Sequence, residues 1–175
     1  MTDGNIIVKI ADKTDAALIA EISQQTFYDS FAMFNTKENM DKFMDEQFTK
    51  ETLMAEVGAP GNIFLLAYLA GEALGYACMR KSKNPLELGD VSAIEMARIY
   101  AVQKAIGKGI GRILMERCIE IAKEKNEKLI WLGVWEHNPR AIAFYSKCGF
   151  EKFGEHPFML GDDRQTDWLM KKNLG

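Results

Sequence analysis

Residues 94 to 125 read IEMARIYAV (94–102), QKAIGKGIG (103–111) and RILMERCIEIAKEK (112–125). The first piece has the apolar character of a strand and the last the spacing of an amphipathic helix. Three glycines, Gly107, Gly109 and Gly111, stand at alternate positions where one hands over to the other. The first N–H groups of a helix lack acceptors within it and its dipole is positive at that end, so the spacing predicts a cradle where backbone amides converge on a phosphate. Two common phosphate loops fail on spacing. A Walker loop needs G-x-x-x-x-G-K-[ST], but Lys108 precedes the last two glycines and no Ser or Thr follows. The dinucleotide fingerprint G-x-G-x-x-G would need a glycine where Arg112 stands. The alternative to a cradle is a merely flexible turn. Three glycines, each costing conformational entropy on folding, argue against it.

Outward from this stretch, 175 residues at 47% hydrophobic and 27% charged describe one domain, residues 1–175, large enough for a substantial core. No run approaches the about 20 apolar residues of a membrane span, and the opening Met1-Thr2-Asp3-Gly4-Asn5 has no signal-peptide pattern, so a cytoplasmic protein without a membrane partner is expected. Cys78, Cys118 and Cys148 are odd in number and lie in apolar surroundings, which predicts reduced thiols. With only His137 and His156 besides, no metal site is expected. A net charge of −3 gives no sign of nucleic-acid binding. Residues 1–60 nevertheless carry eleven acids against five lysines, a local charge of −6 that suits a cationic substrate or an ordinary solvated helix face.

In chain order the pattern predicts a strand at 6–10, a helix from about Asp15 to Phe31 capped by Asp12 or Thr14, and a second helix after Asn35-Thr36 with Met40, Phe43, Met44 and Phe48 as its apolar stripe. Those aromatics and methionines read as core, while the connection from Phe31 to Asn35 reads as a place to grip substrate. A short helical pattern from Lys50, a hairpin (62–69 and 73–81) and a polar loop (82–91) on the acceptor side come next. Past the central strand and its helix, KLIWLGVW (128–135) reads as a strand covered on both faces and parallel to the central one. Asn138 and Pro139 open a last helix that ends at Lys147-Cys148-Gly149, and two strands, 150–158 and 166–172, flank the turn 160–163. The expected fold class is α/β (α+β): a mixed sheet with helices on both faces.

Two motifs now carry a resemblance. Ile106-Gly107-Lys108-Gly109-Ile110-Gly111 is similar to the R/Q-x-x-G-x-G/A loop of the GNAT superfamily, the Gcn5-related N-acetyltransferases, and the run from Asn138 to Phe150 matches its N-x-x-A-x-x-x-Y-x-x-x-G-F pattern. The segment Trp131 to Glu136 resembles the bacterial spermine/spermidine acetyltransferases. Ile106 departs from the family's Arg or Gln, which removes one side-chain contact and leaves the amides. The resemblance implies a mostly antiparallel sheet whose central parallel strand pair splays apart at about Arg98 to Ala101. It implies acetyl-coenzyme A as cosubstrate, with Ile99, Tyr100 and Ala101 pairing with the pantetheine arm, Gly107, Lys108, Gly109, Ile110, Gly111 and Arg112 around its phosphates, and Asn138 and Tyr145 as further cofactor contacts, Asn138 being alternatively a helix cap.

Direct transfer to an amine, a polyamine such as spermidine or spermine above other small amines and protein N-termini, is the implied reaction, and a homodimer is compatible with it. An alkylammonium of pKa about 10 must lose a proton first. Glu95, with Glu136 as second choice, is the candidate base through water; Glu95 as an outward residue or ion-pair partner of Arg98 is the alternative. Tyr145 is the candidate acid for the departing thiolate, or a core tyrosine. The competing readings are a cysteine nucleophile and a non-catalytic acetyl-coenzyme A sensor.

Overall fold

The computed structural model describes residues 5–175. Its elements are β1 (Ile7–Ile10), α1 (Ala16–Phe31), α2 (Lys37–Gln47), α3 (Lys50–Glu56), β2 (Asn62–Leu69), β3 (Glu72–Arg80), β4 (Ala93–Ala101), α4 (Ile110–Glu124), β5 (Leu129–Trp135), α5 (Pro139–Lys147), β6 (Glu151–Leu160) and β7 (Asp163–Asn173). The seven strands form one sheet in the order β1-β2-β3-β4-β5-β7-β6. Among the described residues, only β4 and β5 run parallel, joined through α4.

Local signals account for most boundaries. Asp12 accepts from the Thr14 N–H at 2.8 Å while Asp15 reaches back to the Asp12 N–H at 3.0 Å, a capping box that starts a short 3-10 turn ahead of α1. Thr36 and Thr49 cap α2 and α3 more simply, each hydroxyl accepting from the N–H three residues on, of Asn39 and Thr52. At the far end of α5, Gly149 takes φ +93° and the Phe150 N–H bonds to the Tyr145 carbonyl at 3.0 Å, the left-handed stop that a Lys-Cys-Gly sequence predicts. Strands β6 and β7 run further than expected, to Leu160 and from Asp163, so the turn shrinks to Gly161-Asp162. The reason lies outside the hairpin: Asn39 Oδ1 accepts from the Asp162 N–H at 2.9 Å and Lys42 pairs with the Asp162 carboxylate at 2.6 Å, fixing the tip against α2.

The sheet has a core on each face. On one, Ile110, Leu114, Met115 and Cys118 of α4 pack on Leu65, Ala77, Met79, Ile130 and Leu132. On the other, Ile19 and Ile22 of α1 cover Phe64, Leu66, Tyr76 and Cys78, and Phe27, Phe43 and Phe48 form an aromatic cluster with Leu160 of β6. The 82–91 segment folds back under the sheet, with Leu88 and Val91 on Trp131 and Leu169.

Strand β4 is bent at its centre. Cys78 of β3 faces Arg98 while its neighbour Met79 faces Met96, so Ala97 is an extra residue, a β-bulge. Pairing with β5 is confined to Ala93, Ile94 and Glu95, and ends directly before the bulge. From Met96 to Ala101, β4 has no partner on that side, so the opening begins two residues earlier than expected.

Candidate active site

A cleft of about 1140 Å³ runs from the α4 N-terminus, through the gap between β4 and β5, to the aromatic cluster under α1 and α2. Its size suits an extended ligand.

At the first end, Gly107 and Gly109 hold φ of +86° and +85°, values a side chain adopts only with strain. A Cβ added at either would meet nothing within 4 Å, so space lies in front of both backbones. The first helical bond of α4 runs from the Ile113 N–H to the Gly109 carbonyl, which leaves the amides of Ile110, Gly111 and Arg112 without helical acceptors. Gly111 faces the Phe144 ring of α5, which a Cβ there would meet at 3.4 Å, an ordinary contact. Arg112 lines this end, as does Arg140, which the sequence reading did not single out; Lys108 is exposed and outside the lining. Ile106 is 42% exposed and borders the cleft.

In the middle, Ile99, Tyr100 and Ala101 line the cleft along the unpaired edge of β4. Across from them are Tyr145, whose ring packs on Phe144 and Phe150, and Asn138, whose Oδ1 caps α5 through the Ala141 N–H at 3.1 Å. Burial pushes the Tyr145 phenol well above its ordinary value, and burial together with the nearby phenols of Tyr76 and Tyr145 does the same for Tyr100.

The far end is walled by Phe31, Phe34, Phe48 and Trp135, with Phe27 and Phe43 behind. Phe34 packs edge-on against Trp135 at 5.4 Å. The predicted core aromatics are thus core and cleft floor at once, and the 31–35 connection does border the cleft. The 82–91 loop does not; its residues Lys83, Pro85, Leu86 and Glu87 line a separate pocket of about 340 Å³ with Trp131 and His156. The reason is that Leu88 and Val91 are drawn onto a core patch, which turns the loop away.

Glu95 is not in the cleft lining. Its carboxylate accepts from Arg80 at 2.6 and 3.2 Å and from the Ser82 hydroxyl at 2.8 Å. Nor is Arg98 its partner: past the bulge, the Arg98 guanidinium turns to Glu56 of α3, at 2.7 and 3.0 Å, over the Phe48 ring. Glu136 also lies outside the lining, 3.4 Å from His137 Nε2. Asp167 of β7, which the sequence reading passed over, does line it.

A family model described as the Acetyltransferase (GNAT) family matches residues 24–150, from α1 to the end of the Tyr145 motif. The chain belongs to the GNAT family of acetyltransferases. An uncharacterized N-acetyltransferase in the pepI 3'region of Lactobacillus delbrueckii subsp. lactis is 39% identical over 168 residues, covering 96% of each chain. The spermidine N(1)-acetyltransferase of Thermoplasma acidophilum is 24% identical over 162 residues, or 90% of this chain and 91% of that one. In fold, the crystal structure of the paia N-acetyltransferase from Thermoplasma acidophilum in complex with coenzyme A matches with a TM-score of 0.76 at 20% identity, over 97% of this chain and 99% of that one.

A covalent cysteine route has no support in this GNAT chain. Burial pushes the Cys78 and Cys118 thiols up to about 12, and none of the three cysteines lines the cleft. Among the described residues, no group of three or more His, Cys, Asp or Glu is placed to hold a metal.

Proposed function

We propose that the chain moves an acetyl group from acetyl-coenzyme A to a primary amine in a ternary complex. The observation that carries this is the continuity of the cleft: the free amides of α4, the unpaired edge of β4 and the Tyr145 side chain line one opening. In this reading the amides of Ile110, Gly111 and Arg112 hold the pyrophosphate, aided by Arg112 and Arg140. The β4 edge takes the pantetheine arm as an added strand, and an N–H there polarises the thioester carbonyl. Tyr145 protonates the leaving thiolate. Free cysteines throughout are in keeping with a cytoplasmic setting.

For the acceptor we propose a polyamine of the spermidine class. The name borne by the Thermoplasma relative supports it, and so does the charge of the acceptor end. Arg80 and Arg98 are each matched by a glutamate, so Asp29 and Asp167 remain as net negative charge among aromatic rings that favour an ammonium group. The same aromatic wall favours a second acceptor, a peptide N-terminus with an apolar first side chain. Acetyl-coenzyme A turnover with spermidine, spermine, simple alkylamines and short peptides tests both, with acetylated product identified by mass. Tight acetyl-coenzyme A binding with no product from any amine would instead identify a sensor.

A further inference from the structure

The acetyl-transfer reading leaves the amine's proton without a receiver, because Glu95 and Glu136 lie outside the cleft lining. The acids that do line it are Asp29, Glu56 and Asp167. Glu56 is neutralised by Arg98. Asp29 is exposed at the rim, and both its oxygens accept from Gln25, at 3.0 and 2.9 Å.

Asp167 differs on both counts. Its side chain is only 16% exposed, yet among the described residues no protein group donates a hydrogen bond to its carboxylate. The nearest cation is His156 of β6, directly opposite in register, with Nε2 at 3.7 Å, an ion-pair distance beyond hydrogen-bond reach. The Asp167 oxygens face the open cleft, so their free acceptor sites are filled by water or by a ligand that enters there.

Its position is set by a missing side chain. A Cβ placed on Gly133 of β5 would lie 3.1 Å from His156 Nε2 and 3.4 Å from Asp167 Oδ2, so the pair lies directly over the bare backbone of that strand. Glu95 pairs with Trp131 in parallel register, which puts Gly133 level with Ala97, the bulge where β4 and β5 part. Two residues on from Gly133 along β5 is Trp135, the register partner of Asp167 and a wall of the cleft. The carboxylate is thus beside the opening, next to an aromatic surface, and Tyr100 lies within electrostatic reach of both it and Tyr145.

Resting on the acetyl-transfer reading, we infer that Asp167 is the catalytic residue that binds the acceptor ammonium and takes its proton, in the gap left by Gly133, with His156 as the positioning residue behind it. An N–H bond of the ammonium breaks and an O–H bond forms on Asp167. The freed lone pair forms the C–N bond at the thioester carbonyl. The C–S bond then breaks and the thiolate takes the Tyr145 proton. The second surplus proton on nitrogen restores Tyr145 through solvent, and the Asp167 proton leaves to water past His156, which is 45% exposed and reaches the outer pocket.

The test is kcat/KM for the best amine across pH 6.5 to 9.5 at saturating acetyl-coenzyme A, with acetyl-coenzyme A affinity measured by calorimetry. Asp167→Asn is expected to keep that affinity, lose about 10² to 10⁴-fold in kcat/KM at pH 7, and regain about tenfold per pH unit as the amine deprotonates unaided. His156→Gln is expected to move the acid limb of the profile to higher pH. The charged and titratable groups facing the pair are Tyr100 and Glu95 of β4 and Glu87 of the 82–91 loop, and the His156 imidazole is held above its ordinary value by its pairing with Asp167 first and by the two glutamates as well, against burial. Unchanged kcat/KM in Asp167→Asn, or a loss equal at every pH, overturns the inference while leaving the transferase standing. An unshifted profile in His156→Gln overturns the part given to His156, and this variant keeps the carboxylate should Asp167→Asn fail to fold. A wild type that acetylates no amine overturns the acetyl-transfer reading itself, before any variant is compared.

Discussion

Tyr145 owes its place to a backbone bond as much as to its ring: its carbonyl accepts from Phe150 in the stop of α5, and its ring is held by Phe144 and Phe150. Tyr145→Phe keeps all of this and removes only the hydroxyl. We expect kcat to fall by about 10² to 10⁴-fold, with acetyl-coenzyme A affinity within a factor of two. Steady-state kinetics beside calorimetry decides it, and a wild-type kcat across pH returns the tyrosine to packing. The glycines divide differently from their equal spacing in sequence. Gly109→Val puts a branched side chain at φ +85° and into the open space before the cradle. It should cost the fold about 1 to 2 kcal/mol and weaken acetyl-coenzyme A binding more than tenfold. A folded variant with unaltered affinity would remove the phosphate from this loop. Gly111→Ala, by contrast, brings only an ordinary contact with Phe144 and should be tolerated.

At the scale of elements, the placement of α4 depends on a residue far from it in sequence. A Cβ on Gly75 of β3 would lie 2.4 Å from Ile110 and 2.9 Å from the Tyr100 carbonyl, so the bare backbone lets the first turn of α4 rest on the sheet beside the β4 edge. Gly75→Val should destabilise by about 2 kcal/mol or more, through overpacking, and also weaken acetyl-coenzyme A binding because the cradle is pushed outward. Denaturant midpoints and calorimetry read the two effects separately; a stability loss with wild-type affinity would detach the cradle from this contact. Elements with local signals were legible in the sequence: the start of α2 after Asn35-Thr36, the Asn138 cap, the Gly149 stop, the 62–81 hairpin and the alternation between strand and helix around Gly107 all act within a few residues. What was not legible acts across the sheet. The bulge at Ala97 shows itself only in the register with β3, and it sends Arg98 to Glu56 and leaves Glu95 to Arg80. The 82–91 loop looked polar, and two apolar residues, Leu88 and Val91, decided its direction. Asp167 carries no motif; register with Trp135 and His156 and the gap at Gly133 bring it into the cleft.

For the molecule as a whole, the uneven charge is a matter of field more than of contact. Of the acids that make the first 60 residues negative, only Asp29 and Glu56 line the cleft among those described, and Glu56 is matched by Arg98. Glu38, Asp41, Asp45 and Glu46 belong to α2, the helix whose aromatic face closes the acceptor end, while Arg112 and Arg140 stand at the opposite end by α4. In the proposed reading, the four acids of α2, which outnumber its Lys37 and Lys42 by two, add negative field at the acceptor end, and Arg112 and Arg140 add positive field at the phosphate end. A polycation such as spermidine should then be drawn in by charges it never touches, and salt should weaken that pull, because the screening length is about 10 Å at 0.1 M. We expect kcat/KM for spermidine to fall several-fold between 0.02 and about 0.2 M salt. A neutral amine of similar length should change less than twofold. Both series have to be run at saturating acetyl-coenzyme A, whose own negative charge otherwise adds a salt dependence at the α4 end. Equal slopes for the two amines would show that the acidic helices are only a solvated surface, and the choice of acceptor would then rest with the aromatic wall and Asp167.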